Sequence, residues 1–234
     1  MQVLFGLLVP ALLLIAWTVS LVGACWLDLS HCSLLMILAT IVLRTFLHTG
    51  LFVTAHDAMH GTVLIDHPRL NHLVGRLCTT LYSFLSYAAL QAKHQLHHQH
   101  PATELDPDFC AQGMGRWYLE FMRGYLVGAS SRQIWTLLLG MAASFISLHW
   151  LGQVSIANLL LFWVLPILLS SIQLFYFGTF LPHHSPTNLG KHRSRSSNLS
   201  TLWSLLTCYH FGYHWEHHEY PYLPWYRLPS VKSL

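Results

Sequence analysis

No Asp, Glu, Lys or Arg occurs in the first 27 residues, Met1 to Leu27. An apolar run of roughly 20 residues is what a helix needs to cross a bilayer. The run lacks a basic start and is longer than a signal h-region, so it predicts a retained first helix rather than a cleaved leader. The rest of the chain has the same character. Charged residues make up 9% of the 234 and hydrophobic residues 53%, whereas a soluble domain carries about 25% charged residues. The net charge of +3 and the absence of a basic run give no case for nucleic acid. The expectation is one membrane domain over residues 1–234.

The apolar runs organise that domain. After a turn at Asp28–His31, a second run goes from about Ser33 to Ala55 and contains Arg44 and His48. Leu70–Ala92 is mixed and carries Arg76, which reads as interfacial or partly embedded. His94–Arg132 is polar and broken by Pro101, Pro107 and Gly113. A third run spans about Gln133–Leu151 and a fourth about Val154–Phe180, with a kink expected at Pro166. The fold class predicted is all-α: four transmembrane helices in two hairpins, interfacial helices and a histidine-rich cap. Lys93, Arg116, Arg123 and Arg132 lie in the central polar segment. Lys191, Arg193, Arg195, Arg227 and Lys232 lie in the tail, and the two short turns carry no Lys or Arg. By the positive-inside rule both polar segments face the cytoplasm.

Histidine is the anomaly, with 18 copies against 12 of Lys and Arg together. It is costly inside a bilayer and a common transition-metal ligand. His56 and His60 are spaced i, i+4 and share a helix face. His94, His97 and His98 form an H-x-x-H-H triplet, and His214, His217 and His218 repeat it. All three clusters fall on one predicted membrane side. Solvated surface histidines do not account for two identical triplets there. Eight such residues exceed one structural zinc site, which takes four ligands. Neither H-E-x-x-H nor H-x-x-E-H occurs, so zinc-protease chemistry lacks its motif. Imidazole also suits iron, and a pair of redox metals with O2 chemistry leads. His183 or His184 follows the fourth run and adds a ninth ligand, with His183 favoured. His210, one turn before His214, is open as a ligand or a neighbour of one. His31, His67, His72, His149 and His192 read as structural, and His48 as packed within the span.

Asp57, Asp106, Asp108 and Glu216 are placed to orient ligand imidazoles through the second ring N–H, although turn and cap roles fit Asp106 and Asp108 equally. The Tyr220–Tyr226 stretch is either an interfacial aromatic belt or a wall of a substrate tunnel. Cysteines 25, 32, 78, 110 and 208 form no C-x-x-C pair and read as free thiols.

Several motifs carry a resemblance: His56-Asp-Ala-Met-His60-Gly, His94-Gln-Leu-His-His-Gln-His-Pro101, Phe177-Gly-Thr-Phe-Leu-Pro-His183, Cys208-Tyr-His-Phe-Gly-Tyr-His-Trp-Glu-His-His-Glu-Tyr-Pro221 and Pro224-Trp-Tyr-Arg-Leu-Pro229. From about Thr49 onward the chain resembles the membrane fatty-acid desaturase/hydroxylase superfamily, and within it the bacterial-type β-carotene ketolases. His184 stands where that group often has Arg after Leu-Pro-His. The resemblance implies a non-haem di-iron oxygenase with a cytoplasmic cap, two iron ions and O2 as co-substrate. Its metal ligands would be His56, His60, His94, His97, His98, His214, His217, His218 and His183, with no catalytic residue beyond them. It also implies a carotenoid drawn from the bilayer and a separate electron donor such as ferredoxin. C4 of a β-ionone ring would be oxidised by two O2-dependent hydroxylations and a dehydration, taking β-carotene to echinenone and canthaxanthin. A fatty-acid desaturase or hydroxylase is the near alternative, and a multi-histidine metal transporter the remote one.

Overall fold

The computed structural model describes residues 2–126, 131–185 and 190–232, with side chains from residue 6 at the amino end. Met1, at the head of the first apolar run, lies outside them. Every regular element among the described residues is helical, and their one bridge, Ser196 with Tyr213, is isolated.

Helix α1 (Gln2–Cys25) and α2 (Leu34–Met59) form a hairpin. Asp28 accepts the Ser30 N–H to shape the turn, and Ser33 accepts the Met36 N–H to start α2. Leu12, Ile15, Val19 and Val22 of α1 are exposed, a surface suited to lipid rather than water. Helix α2 changes along its length. Leu34, Leu35, Leu38 and Val42 are exposed, whereas every residue from Leu47 to Met59 is buried. Its first half therefore carries an outward apolar stripe and its second half is core.

Leu70–Ala92 resolves into α3 (Pro68–Ser83) and α4 (Tyr87–Gln99), which meet at 103°. Phe84 turns the chain in the left-handed region, φ 57°. Gln133 staples the corner, donating to Phe84 O at 3.2 Å and accepting the Ser86 N–H at 3.0 Å. The partly embedded reading becomes a bent pair, apolar enough together for a broken or re-entrant passage. Helix α5 (Met114–Leu126) follows, then α6 (Ser131–Trp150).

Three described helices are long and apolar enough to cross a membrane: Gly6–Cys25, Leu34–Met59 and Ile156–His183, the last labelled α7. The third apolar run forms α6 but is not among these, because Arg132, Gln133, Ser144, Ser147 and His149 dilute it. The α1 and α7 ends are joined by Asn158, whose side-chain NH2 donates to the carbonyls of Ala24, Cys25 and Leu27. These carbonyls lie at and just past the end of α1, where no intrahelical N–H is left to pair them. Cys25 and Cys32 are free thiols. Beyond α7 come α8 (Thr201–Cys208), α9 (His214–Glu219) and a 3-10 segment, Trp225–Ser230.

The kink expected at Pro166 is taken up instead as a widened π-turn over Leu160–Val164, so α7 runs on as one span. Pro166 has no N–H for the carbonyl four residues back, that of Phe162. Arg44 supplies the missing donor: its Nε bonds Phe162 O at 3.1 Å, and its Nη1 bonds Trp17 O and Ser20 Oγ. Arg44 is fully buried and ties α1, α2 and α7 together. His48, one turn on, is likewise a packing residue, accepting Trp17 Nε1–H and donating from Nε2 to Tyr82 O.

Arg44→Ala leaves buried carbonyls unpaired, each costing about 1–3 kcal/mol. The midpoint of thermal unfolding in detergent is expected to fall clearly. Adding Pro166→Ala, which returns a backbone donor, should recover part of the loss. No recovery in the double variant would show that the Phe162 carbonyl is not what Arg44 serves.

Candidate metal centre

Four helices end at one place. Helix α2 brings His56 and closes on His60, its C-cap. Helix α4 carries His94, His97 and His98, α7 ends on His183, and α9 carries His214, His217 and His218. The His56/His60 pair stays together, but the two triplets divide. Ring nitrogens lying within 4.8 Å of one another define two tetrads, His56/His60/His94/His217 and His97/His183/His214/His218. His98 sits at the seam: its Nε2 is 2.9 Å from His217 Nε2, and its ring centroid is 4.2 Å from that of His218.

The hydrogen bonds at the backs of the rings fix which nitrogens look inward. His97 Nδ1–H donates to Asp106 Oδ2 at 2.9 Å, and His183 Nδ1–H to Arg193 O at 2.8 Å. Each leaves an Nε2 lone pair facing the group. His183 Nε2 is buried with no hydrogen-bond partner among the described residues. His218 Nε2 lies 3.1 Å from both His97 Nε2 and His214 Nε2. Three converging imidazole nitrogens, one of them a lone pair by the Asp106 argument, are poorly satisfied by shared protons. A cation among them resolves the conflict. Burial, and secondarily the neighbouring rings, push His214, His217 and His218 well below the usual imidazole range. They are neutral, the form that ligates a metal. The donor set fits an N-ligated transition metal in each tetrad.

Asp106 serves both readings made from sequence. Its Oδ2 takes the His97 N–H and the Ala102 N–H, while its Oδ1 takes the Asp108 N–H. The other acidic residues do not orient tetrad rings by hydrogen bonds. Asp57 lies 3.7 Å from His56 Nδ1 and accepts the Trp225 N–H, holding the 3-10 segment behind α2. Asp108 pairs with Lys93 at 2.7 Å, and Glu216 accepts from Ser196. The stretch Tyr220–Tyr226 divides: Trp225 lines a small pocket beside His56 and His217, while Tyr222 is exposed. His184 stacks on Phe180 and bonds Leu181 O, outside both tetrads. His210 stacks on Tyr213 and is also outside them. One contact has no counterpart in sequence reasoning: His192 Nε2 meets Glu219 Oε2 at 2.6 Å, with its ring 5.7 Å from that of His218.

Two voids approach the tetrads. A cavity of about 40 Å³ touches His56, His94, His97 and His214. An apolar cavity of about 220 Å³ opens beside it among α2, α3, α5, α6 and α7, with Met122, Leu137, Met141 and Ile167 in its wall. The two share Phe52, Phe121, Tyr125 and Leu174, which form a neck. The α5 contribution went unseen in the sequence, where His94–Arg132 reads as polar. The signal was the i, i+4 stripe Trp117, Phe121, Tyr125.

Asp106→Asn places an NH2 where three N–H groups converge. Metal affinity, measured by chelator competition, is expected to drop about 10- to 100-fold, the usual effect of removing an imidazole's supporting partner. Unchanged affinity would mean that Asp106 serves only the turn.

The model of the fatty acid desaturase family matches residues 32–234. A β-carotene ketolase of Paracoccus sp. is 39% identical over 231 residues, covering 97% of this chain and 92% of that protein. A β-carotene ketolase of Haematococcus lacustris is 40% identical over 218 residues, 86% of this chain. A zeaxanthin 4-ketolase of Chlamydomonas reinhardtii is 40% identical over 198 residues, 81% of this chain. The chain spans 64% of the length of the Haematococcus protein and 42% of the Chlamydomonas one. From residue 32 onward the histidine-bearing helices thus lie within one matched region; the chain is similar there to the β-carotene ketolases and belongs to the fatty acid desaturase family.

Proposed function

We propose that this chain is a carotenoid 4-ketolase that oxidises C4 of a β-ionone ring at a di-iron centre. One observation carries the reading furthest: an apolar cavity inside the helical frame narrows through a neck directly onto two histidine tetrads. A β-carotene end group has no polar atom, and a wall made mostly of Phe, Leu, Met, Val and Ile side chains suits it. C4 is allylic, so its C–H bonds are weaker than those of an ordinary methylene.

In this reading His56, His60, His94 and His217 hold one iron, and His97, His183, His214 and His218 the other, with His98 between them. Bound there, an iron pair would supply reductive O2 activation and oxidation of the allylic C–H bond. The protein's part is ligation, aim and exclusion of water. Asp106 and the Arg193 carbonyl set two ring orientations, and the neck presents the ring edge to the tetrads. Oxidation twice at C4 gives a gem-diol, which loses water to the ketone. Electrons come from a separate one-electron carrier, for which ferredoxin is our choice. We place residues 1–234 as one multi-pass domain in the bilayer, its four spans in two hairpins and its histidine cap on the cytoplasmic side, where the basic residues lie.

Expression in a host that makes β-carotene tests this directly. Echinenone and canthaxanthin should appear by chromatography, and the purified protein should hold two iron ions per chain. Chelation should abolish product formation. His183→Ala should lose iron and product, while His184→Ala should keep both. An oxidised acyl lipid with no keto-carotenoid would move the substrate to the fatty-acid alternative.

A further inference from the structure

Of the four residues forming the neck, Phe52, Phe121 and Leu174 are purely apolar, and Tyr125 alone carries a hydrogen-bonding group. Tyr125 also borders a third void, a groove of about 370 Å³ between α4, α5 and α6. Of the residues lining these voids, it is the one common to all three. Its ring is held from behind. The Lys93 ammonium lies 4.0 Å from the Tyr125 ring centroid and 2.7 Å from Asp108 Oδ1. Gly124 makes that clamp possible, since a Cβ there would fall 2.7 Å from Lys93 Nζ. Among the described residues the Tyr125 hydroxyl has no hydrogen-bond partner. A phenol fixed in place at an apolar neck, with a hydroxyl that no described residue takes up, is built to meet a polar atom that arrives there.

The reaction itself supplies one. In the first oxidation a C4–H bond breaks and a C4–O bond forms. One oxygen atom of O2 enters the alcohol and the other leaves as water, using two electrons from the carrier and two protons. The second oxidation repeats this on the same carbon, and the gem-diol expels water. Between the two, the ring carries a hydroxyl inside an apolar neck, where an unpaired hydroxyl is disfavoured. We propose that Tyr125 hydrogen-bonds the C4 hydroxyl of this intermediate and so keeps the ring in place for its second oxidation. The proposal rests on the ketolase reading above and concerns retention, not the oxidising chemistry.

The test is Tyr125→Phe, which keeps the ring, the Lys93 contact and the neck. Two ratios are read. In the carotene-making host, the ratio of free 4-hydroxy product to ketone should rise several-fold over wild type. In titrations of the resting holoenzyme without reductant, affinity for the 4-hydroxy carotenoid relative to β-carotene should fall about 3- to 10-fold, the worth of one hydrogen bond. A merely structural residue would weaken both ligands alike and leave this second ratio unmoved. An unchanged affinity ratio overturns the proposal, and so does the same shift appearing in Thr179→Val, the hydroxyl deeper in the inner cavity, and not in Tyr125→Phe. The failures are separable. A wild-type protein that makes no oxidised carotenoid sinks the ketolase reading. A wild type that makes ketone, beside a Tyr125→Phe variant with unaltered ratios, sinks only the role of Tyr125.

Discussion

Nine imidazoles pressed together at the ends of four helices are the constraint on which the rest of this molecule turns. Nitrogen lone pairs facing one another in a buried space repel and go unsatisfied unless an ion sits between them. His183 Nε2, buried without a partner among the described residues, and the convergence of His97, His214 and His218 make the point locally. Such an arrangement survives only if the surrounding frame holds it. The buried half of α2, the end of α7, and the Asp57 and Asp106 contacts to the loops around them are that frame.

The same logic governs the apolar part. A chain with few charges still buries polar backbone, and each irregularity needs a partner. Pro166 removes a donor from α7, the π-turn before it loosens the helix, and Arg44 reaches across from α2 to pair the Phe162 carbonyl. Asn158 does the equivalent for the end of α1. A second π-turn, Tyr176–Phe180, comes one residue pair before His183. π-turns concentrate near functional sites because the extra residue per turn re-aims the side chains of the next turn. The long helix that crosses the apolar layer therefore also sets the bearing of a proposed ligand.

Where the apolar frame and the histidines meet, the neck of Phe52, Phe121, Tyr125 and Leu174 mediates between two chemistries. Outside it the walls suit a hydrocarbon. Inside it are imidazoles and Asp108. Helix α5 contributes two of the four neck residues from a segment that otherwise carries Arg116, Glu120 and Arg123 on its exposed side. An amphipathic helix lying over the opening serves both environments, with one face for each.

The sequence by itself determined the class of the molecule and offered the histidines of a candidate site. Charge-free runs of membrane length demand helices, since only helices or closed barrels satisfy their own backbone in lipid. The i, i+3, i+4 spacing places imidazoles on shared faces, because helical periodicity is local. Which faces meet is not local. His94 and His97 lie within one turn of α4 yet belong to different tetrads. His217 and His218 are adjacent and also divide. The place of His183 rather than His184 in a tetrad, the seam position of His98, the grip of Asp106 on His97 and the α5 wall of the cavity were all decided by packing between segments far apart in the chain. Local spacing fixes the direction of a side chain relative to its own helix, and only the tertiary arrangement fixes the direction of that helix relative to its neighbours.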